Sequence, residues 1–516
     1  MRFVYYQPLE IDTGIARYVY PLEEDGTDEL AKSFWTRTET VDGTFSANVE
    51  VKSAWPVADL RVPGNEASAT IELLGESHAR IRVESQQATV SRDPVVYYRL
   101  EDDLPGRVEV VAYRPDRTKP GTFMAVVTPG LDLQPLASGA DYVLVLDVSG
   151  SMSSGKLSTL THGVSQVIGD LDPNDRFRVI TFNNSARDLT RGFEVATPEN
   201  VARSLEQISR IAAGGGTNLY EGIELAVRKL DADRATSLIL VTDAVTNTGI
   251  VDPRAFHKLM GKYDVRLFGF LLGNSGSWPL MRTIAEASGG FHSQVSNADD
   301  ILGQILLAKS KVTHESLHRA ALKIRGVETE DTTGEVIGKV HRGQQLVLFG
   351  RYRDSGHAKM ALEATLTGKD EVYETTFTFP EFDDRHPELE RLWALAMIEE
   401  LEDRAHAGLL DGDEMREAIR GLGVDYQLVT DETSMIVLDD ASFERHGIER
   451  RNRARSALEK AAQSAGASAT IANHRVDRDR PTFDLPTPSL GGGPLDPVSG
   501  VVLLGLAAAG SARKRS

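Results

Sequence analysis

The sequence predicts a multidomain chain mixing α/β with all-β structure: a central doubly wound, mostly parallel sheet, flanked by β-sandwich-like and helical regions. Three observations carry this prediction. Tyr142–Leu146 and Leu238–Val241 are unbroken apolar runs, as strands buried between two helical layers are, and the strands they belong to end in Asp147 and Asp243. Strand-like and helix-like stretches alternate from about 138 to 313, the pattern of a parallel sheet covered on both faces. On both sides of that block, apolar residues recur at every second position with Gly, Pro, Asn or Asp between the runs, the rhythm of antiparallel sandwiches.

A chain of 516 residues suffices for three or four domains with cores of ordinary size. Its net charge of −19, with no basic stripe, excludes nucleic acid as a partner, because phosphate recognition needs clustered Lys and Arg. The absence of cysteine removes thiol catalysis, thiolate zinc sites and disulfide-stapled modules, and leaves the compartment open.

In order, residues 41–137 read as a β-sandwich-like region, with alternation in Phe45–Val51, Ala69–Leu73, Ala79–Glu84 and Arg107–Tyr113. Within 138–313, Leu157, Leu160, Val164, Ile168 and Leu171 share one helical face, and Asp172-Pro173-Asn174 stops that helix. Arg176–Phe182 is the next strand. Pro198–Ile211 and Leu219–Leu230 are helices either side of the Gly214-Gly215-Gly216 break, and Ser237–Asp243 and Val265–Leu272 are strands. Helices near 278–288 and 298–311 complete the alternation. Residues 314–442 combine β segments (Ala321–Arg325, Gln345–Gly350, Glu374–Phe379) with a helical hairpin from Pro387 to about Leu422 and a short strand, Ser434–Leu438. Residues 443–497 read as a charged, solvated helix and then a flexible linker rich in Ser, Ala, Gly and Pro. In the tail, 498–516, the apolar run Val498–Gly510 spans about 20 Å as a helix, short of a hydrocarbon core of roughly 30 Å. With Gly491-Gly492-Gly493 before it and Arg513-Lys514-Arg515 after it, this tail has the layout of a C-terminal sorting signal.

The chemistry concentrates in three separated pieces: Asp147-x-Ser149-x-Ser151, Thr217 and Asp243. In an open α/β sheet, ligands bind beyond the carboxyl ends of the strands, and both aspartates end buried strands. Thr217 follows a glycine run free to fold inward. Two carboxylates and three hydroxyls make an all-oxygen donor set suited to Mg²⁺, with Ca²⁺ or Mn²⁺ as further candidates. So few charged ligands leave the cation electrophilic toward a partner's carboxylate.

This constellation resembles the metal-ion-dependent adhesion site of von Willebrand factor type A domains over residues about 138–313, with its Asp-x-Ser-x-Ser-Met turn, Gly-Gly-Thr-Asn loop and Val-Thr-Asp strand end. The resemblance implies that Ser149, Ser151 and Thr217 ligate directly or nearly so, while Asp147 and Asp243 often act through water. Ala244 departs from the glycine common there and removes no ligand. Val4–Leu9 and Tyr18–Leu22 look like closing strands of the VIT domain of inter-alpha-trypsin inhibitor heavy chains, making 1–40 the remnant of such a domain. Leu392–Leu401 and Tyr426–Leu438 resemble the region after their A domain. The gene is accordingly expected to begin upstream of Met1. The tail resembles bacterial sorting signals cleaved by a membrane protease. Together these imply an exported, non-enzymatic protein of the cell envelope or surface, transiently membrane-associated, that grips an acidic protein or polysaccharide through Mg²⁺.

Two other readings compete. His314-Glu315-Ser316-Leu317-His318 matches the H-E-x-x-H zinc-protease pattern, which requires a helix to bring both histidines to one face. A periplasmic assembly scaffold without adhesive function is the other. Gly214-Gly215-Gly216-Thr217 is no phosphate loop, because no Gly-Lys-Ser/Thr follows.

Overall fold

The computed structural model describes residues 9–483 with interruptions, the longer ones at 21–43, 87–94, 102–105, 134–138, 273–277, 296–307, 435–439, 448–451 and 469–472; residues 484–516 lie outside the described residues. The alternating segments at the start form β1 (Ile11–Asp12), β2 (Ile15–Val19), β3 (Thr44–Lys52), β4 (Val57–Arg61), β5 (Ala69–Gly75), β6 (His78–Gln86) and β7 (Val95–Leu100). They pair as two sheets, β1-β2-β7-β4 and β3-β6-β5, whose apolar faces close on Val51, Val62, Ile81, Val83 and Val96. Because β2 runs in register with β7, from Ile15 opposite Arg99 to Val19 opposite Val95, a boundary at residue 40 cuts through one sheet. The strands Ile11–Asp12 and Ile15–Val19 therefore belong to one unit with the strands up to Leu100.

The next strands, β8 (Arg107–Tyr113) and β9 (Gly121–Thr128), leave that unit. The chain then builds the α/β block: β10 (Asp141–Asp147), α1 (Lys156–Gly169), β11 (Arg176–Phe182), β12 (Ala186–Asp188), β13 (Glu194–Val195), α2 (Pro198–Ile208), α3 (Leu219–Ala226), β14 (Thr236–Thr242), α4 (Pro253–Met260), β15 (Arg266–Leu272), α5 (Trp278–Ala287) and β16 (Phe291–Val295). The sheet order is β12-β11-β10-β14-β15-β16, parallel from β11 to β16, with β12 and β13 antiparallel to β11. The chain adds β11 on one side of β10 and returns with β14 on the other, so the winding reverses between β10 and β14. Alternate residues feed two cores: Tyr142, Leu144 and Leu146 pack under α1 and α2, and Val143 and Val145 under α3, α4 and α5. Thr197 and Asp252 cap α2 and α4 ahead of Pro198 and Pro253 in their first turns. Helix α3 ends at Ala226, short of Leu230, where Lys229 takes a left-handed φ of 64°. The segment expected as a helix at 298–311 lies mostly outside the described residues.

After this block come β17 (Leu317–Arg325), β18 (Thr329–Glu330), β19 (Val336–Val340), β20 (Leu346–Tyr352), β21 (Gly356–Leu366) and β22 (Lys369–Phe379). They pair as β19-β17-β21-β22 and β18-β20-β9-β8, and both sheets share a core including Phe123, Tyr352, Phe377 and Phe379. The α/β domain is thus inserted between β9 and β17 of a discontinuous sandwich. This redraws the 41–137 and 314–442 regions: period-two alternation shows that a strand is half-buried but not which strand, near or far in sequence, lies beside it. The outer face of the second sheet is covered by α6 (Leu389–His406) and α7 (Gly412–Tyr426), through Trp393, Ala394, Leu422 and Tyr426 on Tyr113, Met124 and Phe349.

Two helices, α8 (Asp440–Arg445) and α9 (Asn452–Ser468), follow. Residues 473–483, expected within a flexible linker, are instead ordered against β8. Val476 N–H donates to Val108 O at 2.9 Å, Val110 N–H donates to His474 O at 3.1 Å, and Phe483 is buried against Tyr373. The composition that suggested a linker conceals one aromatic anchor, Phe483, and one buried acceptor, Asp477, which takes N–H bonds from Val108 and Thr482.

Candidate metal centre

Strand β10 begins and ends on a fully buried aspartate, and the two are treated differently. At the amino end, Asp141 is neutralised by Arg176, which reaches both its oxygens at 2.9 and 2.6 Å, and by Arg234 at 2.7 Å. At the carboxyl end, Asp147 has only neutral donors: the backbone N–H of Ser149 at 2.8 Å on Oδ1 and the Thr242 hydroxyl at 2.5 Å on Oδ2. Burial pushes the Asp147 carboxyl up to about 6, opposed by the hydrogen bonds from Thr242 and Ser149 and reinforced by the Asp243 charge.

Asp243 reaches the same edge because β14 is the immediate neighbour of β10, with Leu146 opposite Val241. It too is buried, and its Oδ1 has no hydrogen-bond partner among the described residues. Neither carboxylate has a cationic partner among the described residues. Ser149 is buried, Ser151 is exposed, and their hydroxyls stand 3.0 Å apart. Thr217 is buried on a loop held by asparagines: Asn247 Oδ1 accepts its N–H at 2.9 Å, Asn184 Oδ1 accepts Gly216 N–H at 2.7 Å, and Asn183 Nδ2 donates to Gly214 O at 2.9 Å. Gly150 N–H in turn donates to Gly215 O at 3.0 Å, tying the serine turn to the glycine loop. Gly215 has φ 87°, and a Cβ on Gly216 would stand 2.7–2.9 Å from Thr248, Asn184 and Asn247.

The residues fit a hard divalent cation. The serine turn, the glycine loop that carries Thr217 and the segment after Asp243 are tied together at the switch point, every candidate donor is an oxygen, and two buried carboxylates stand at neighbouring strand ends without a counter-charge among the described residues. No cluster of three or more His, Cys, Asp or Glu suited to a metal occurs among the described residues, so a cation here must rely on hydroxyl oxygens. Sequence reasoning missed Thr242 and the asparagine supports; the signal was their position at the same strand ends as the aspartates.

The zinc-protease reading is corrected. His318 lies in β17, opposite Lys339 on one side and Thr365 on the other, and Glu315 lies outside the described residues. The H-E-x-x-H pattern works by bringing both histidines to one face of a helix, and His318 sits on a strand instead.

Residues 141–306 match the family model described as the von Willebrand factor type A domain. The chain is 27% identical over 322 residues to inter alpha-trypsin inhibitor, heavy chain 4 of Mus musculus, and 27% identical over 345 residues to inter-alpha-trypsin inhibitor heavy chain H4 of Homo sapiens. These matches cover 57% and 61% of this chain but 34% and 36% of the relatives, so the chain spans about a third of their length. Among solved structures, von Willebrand factor type A from Catenulispora acidiphila aligns with a TM-score of 0.40 at 15% identity, covering 63% of this chain and 89% of that one. The chain thus carries a von Willebrand factor type A domain at residues 141–306, within a sequence similar to inter-alpha-trypsin inhibitor heavy chains.

Proposed function

We propose that the protein is a non-catalytic, metal-dependent binding protein that takes hold of an acidic group on a partner at the Asp147 turn. Proteins with this type of domain generally serve adhesion or protein interaction. One observation carries the metal dependence: two buried carboxylates stand at neighbouring strand ends without a cationic side chain among the described residues, where Asp243 Oδ1 also has no hydrogen-bond partner. Ser149, Ser151 and Thr217 would complete the set with Asp147 and Asp243. When bound, Mg²⁺ supplies an electrophilic position for a partner's carboxylate. The asparagine-held glycine loop fixes Thr217, and the Ser149 N–H and Thr242 hydroxyl orient Asp147.

The setting we propose is outside the inner membrane of a bacterium. Support comes from the apolar run Val498–Gly510 with its basic end, acting as a sorting signal for a membrane protease. No helix among the described residues is long and apolar enough to cross a membrane. A pull-down from surface extract, with Mg²⁺ and with EDTA, tests the binding mode. Asp147→Ala should lose every Mg²⁺-dependent partner with its circular dichroism unchanged, and partners retained in EDTA would refute the mechanism.

A further inference from the structure

A groove of about 950 Å³ opens beside the Asp147 turn, starting at Val148 and Asn183 and running between β12 and the carboxyl end of α2. Four arginines line it, Arg187, Arg191, Arg203 and Arg210, in a chain of net charge −19. Arg203 pairs with Glu194 and Arg210 with Glu206, and the acidic Asp188 in the same groove is taken by Arg178. Arg187 and Arg191 make no ion pair among the described residues, and both are exposed. Arg191 is held with a left-handed φ of 60°.

The register places these cations. Leu146 lies opposite Thr181 on β11, and Thr181 opposite Arg187 on β12. Two strand spacings put Arg187 about 10 Å across the sheet from the strand end that carries Asp147. β12 is also the last strand on that side of the sheet. Three residues of extended peptide span about 10 Å, the distance from the metal turn to Arg187. Guanidinium forks match carboxylates in geometry and charge. An acidic polysaccharide would offer similar charge, but the apolar faces of sugar rings pack on flat aromatic side chains, and none lines this groove.

We propose that the groove receives an acidic peptide segment of a protein partner, extended along the sheet edge, with one carboxylate at the metal turn and others at Arg187 and Arg191. This rests on the metal-dependent reading above and names its partner class. The test is binding of a fluorescent decaglutamate to the whole chain in Mg²⁺ or EDTA. The wild type should bind in Mg²⁺, less tightly as salt rises. The Arg187→Gln/Arg191→Gln double variant should bind about tenfold more weakly, with Mg²⁺ still required. Asp243→Asn should behave in Mg²⁺ as the wild type does in EDTA. Unchanged affinity in the double variant would overturn the groove while leaving the metal site standing. Arginine dependence without any Mg²⁺ effect would keep the groove and remove the metal reading. No binding of decaglutamate, or tighter binding of an oligogalacturonate of equal length, would overturn the peptide assignment.

Discussion

Asp243 is the residue on which the site turns. Its buried, unsatisfied Oδ1 beside Asp147 is a repulsive arrangement unless a cation joins it. Two outcomes follow for Asp243→Asn. Divalent-cation affinity should fall about 10–100-fold, the cost of losing an outer supporting partner of a metal site. In EDTA the variant should unfold at a higher temperature than the wild type, because one of two adjacent buried charges is gone. A lower temperature would mean that Asp243 is a structural acceptor. Gly216→Ala should weaken cation binding about tenfold, because its methyl group displaces the Asn184 and Asn247 side chains that hold the loop. Titration with Mn²⁺ monitored by electron paramagnetic resonance reads both. The aspartates and hydroxyls were legible in the sequence because each ends a buried strand or follows a glycine break. The asparagine struts were not, since short polar residues after a strand read equally well as any turn.

Among the elements, the 473–483 segment is the least expected. It adds to the edge of β8 through Val476 and His474, and Phe483 seals it into the sandwich core. Phe483→Ala should cost about 3 kcal/mol or more in the stability of that sandwich. It should also raise hydrogen exchange at Val108, Val110 and Val476 relative to the α/β sheet, measured by mass spectrometry; unchanged exchange would show that the segment is held by its backbone bonds alone. The α/β strands were readable because burial on both faces leaves unbroken apolar runs. The sandwich partners were not, because the strands that pair, β9 and β20, are separated by the whole inserted domain.

At the scale of the molecule, insertion of the α/β domain into the sandwich makes their junction a shared structural element. His341 bridges it: its Nε2 donates to Gly289 O at 3.1 Å, and its ring meets Phe268. Full burial holds its pKa well below the usual histidine value, and the nearby Arg266, Lys311 and Lys339 push in the same direction. His292 is lowered to about 4 by burial and by Arg282. The folded state refuses protons that the unfolded chain accepts below about pH 6.5, so the contribution of these two histidines to stability should fall as pH drops from 6.5 toward 4, against an opposite gain from Asp147, whose carboxyl is held up to about 6. The slope should approach about 1.4 kcal/mol per pH unit for each histidine. Between pH 7.5 and 5 the wild type should lose more stability on thermal unfolding than His292→Gln/His341→Gln does; equally steep wild-type and variant profiles would exclude these histidines as the source. A cation at the β10–β14 switch point is read by calorimetric titration of the whole chain with Mg²⁺, before and after Asp147→Ala. The wild type should take up one ion per chain and the variant none, with the circular dichroism of the variant unchanged. Equal Mg²⁺ binding by the two proteins would contradict this.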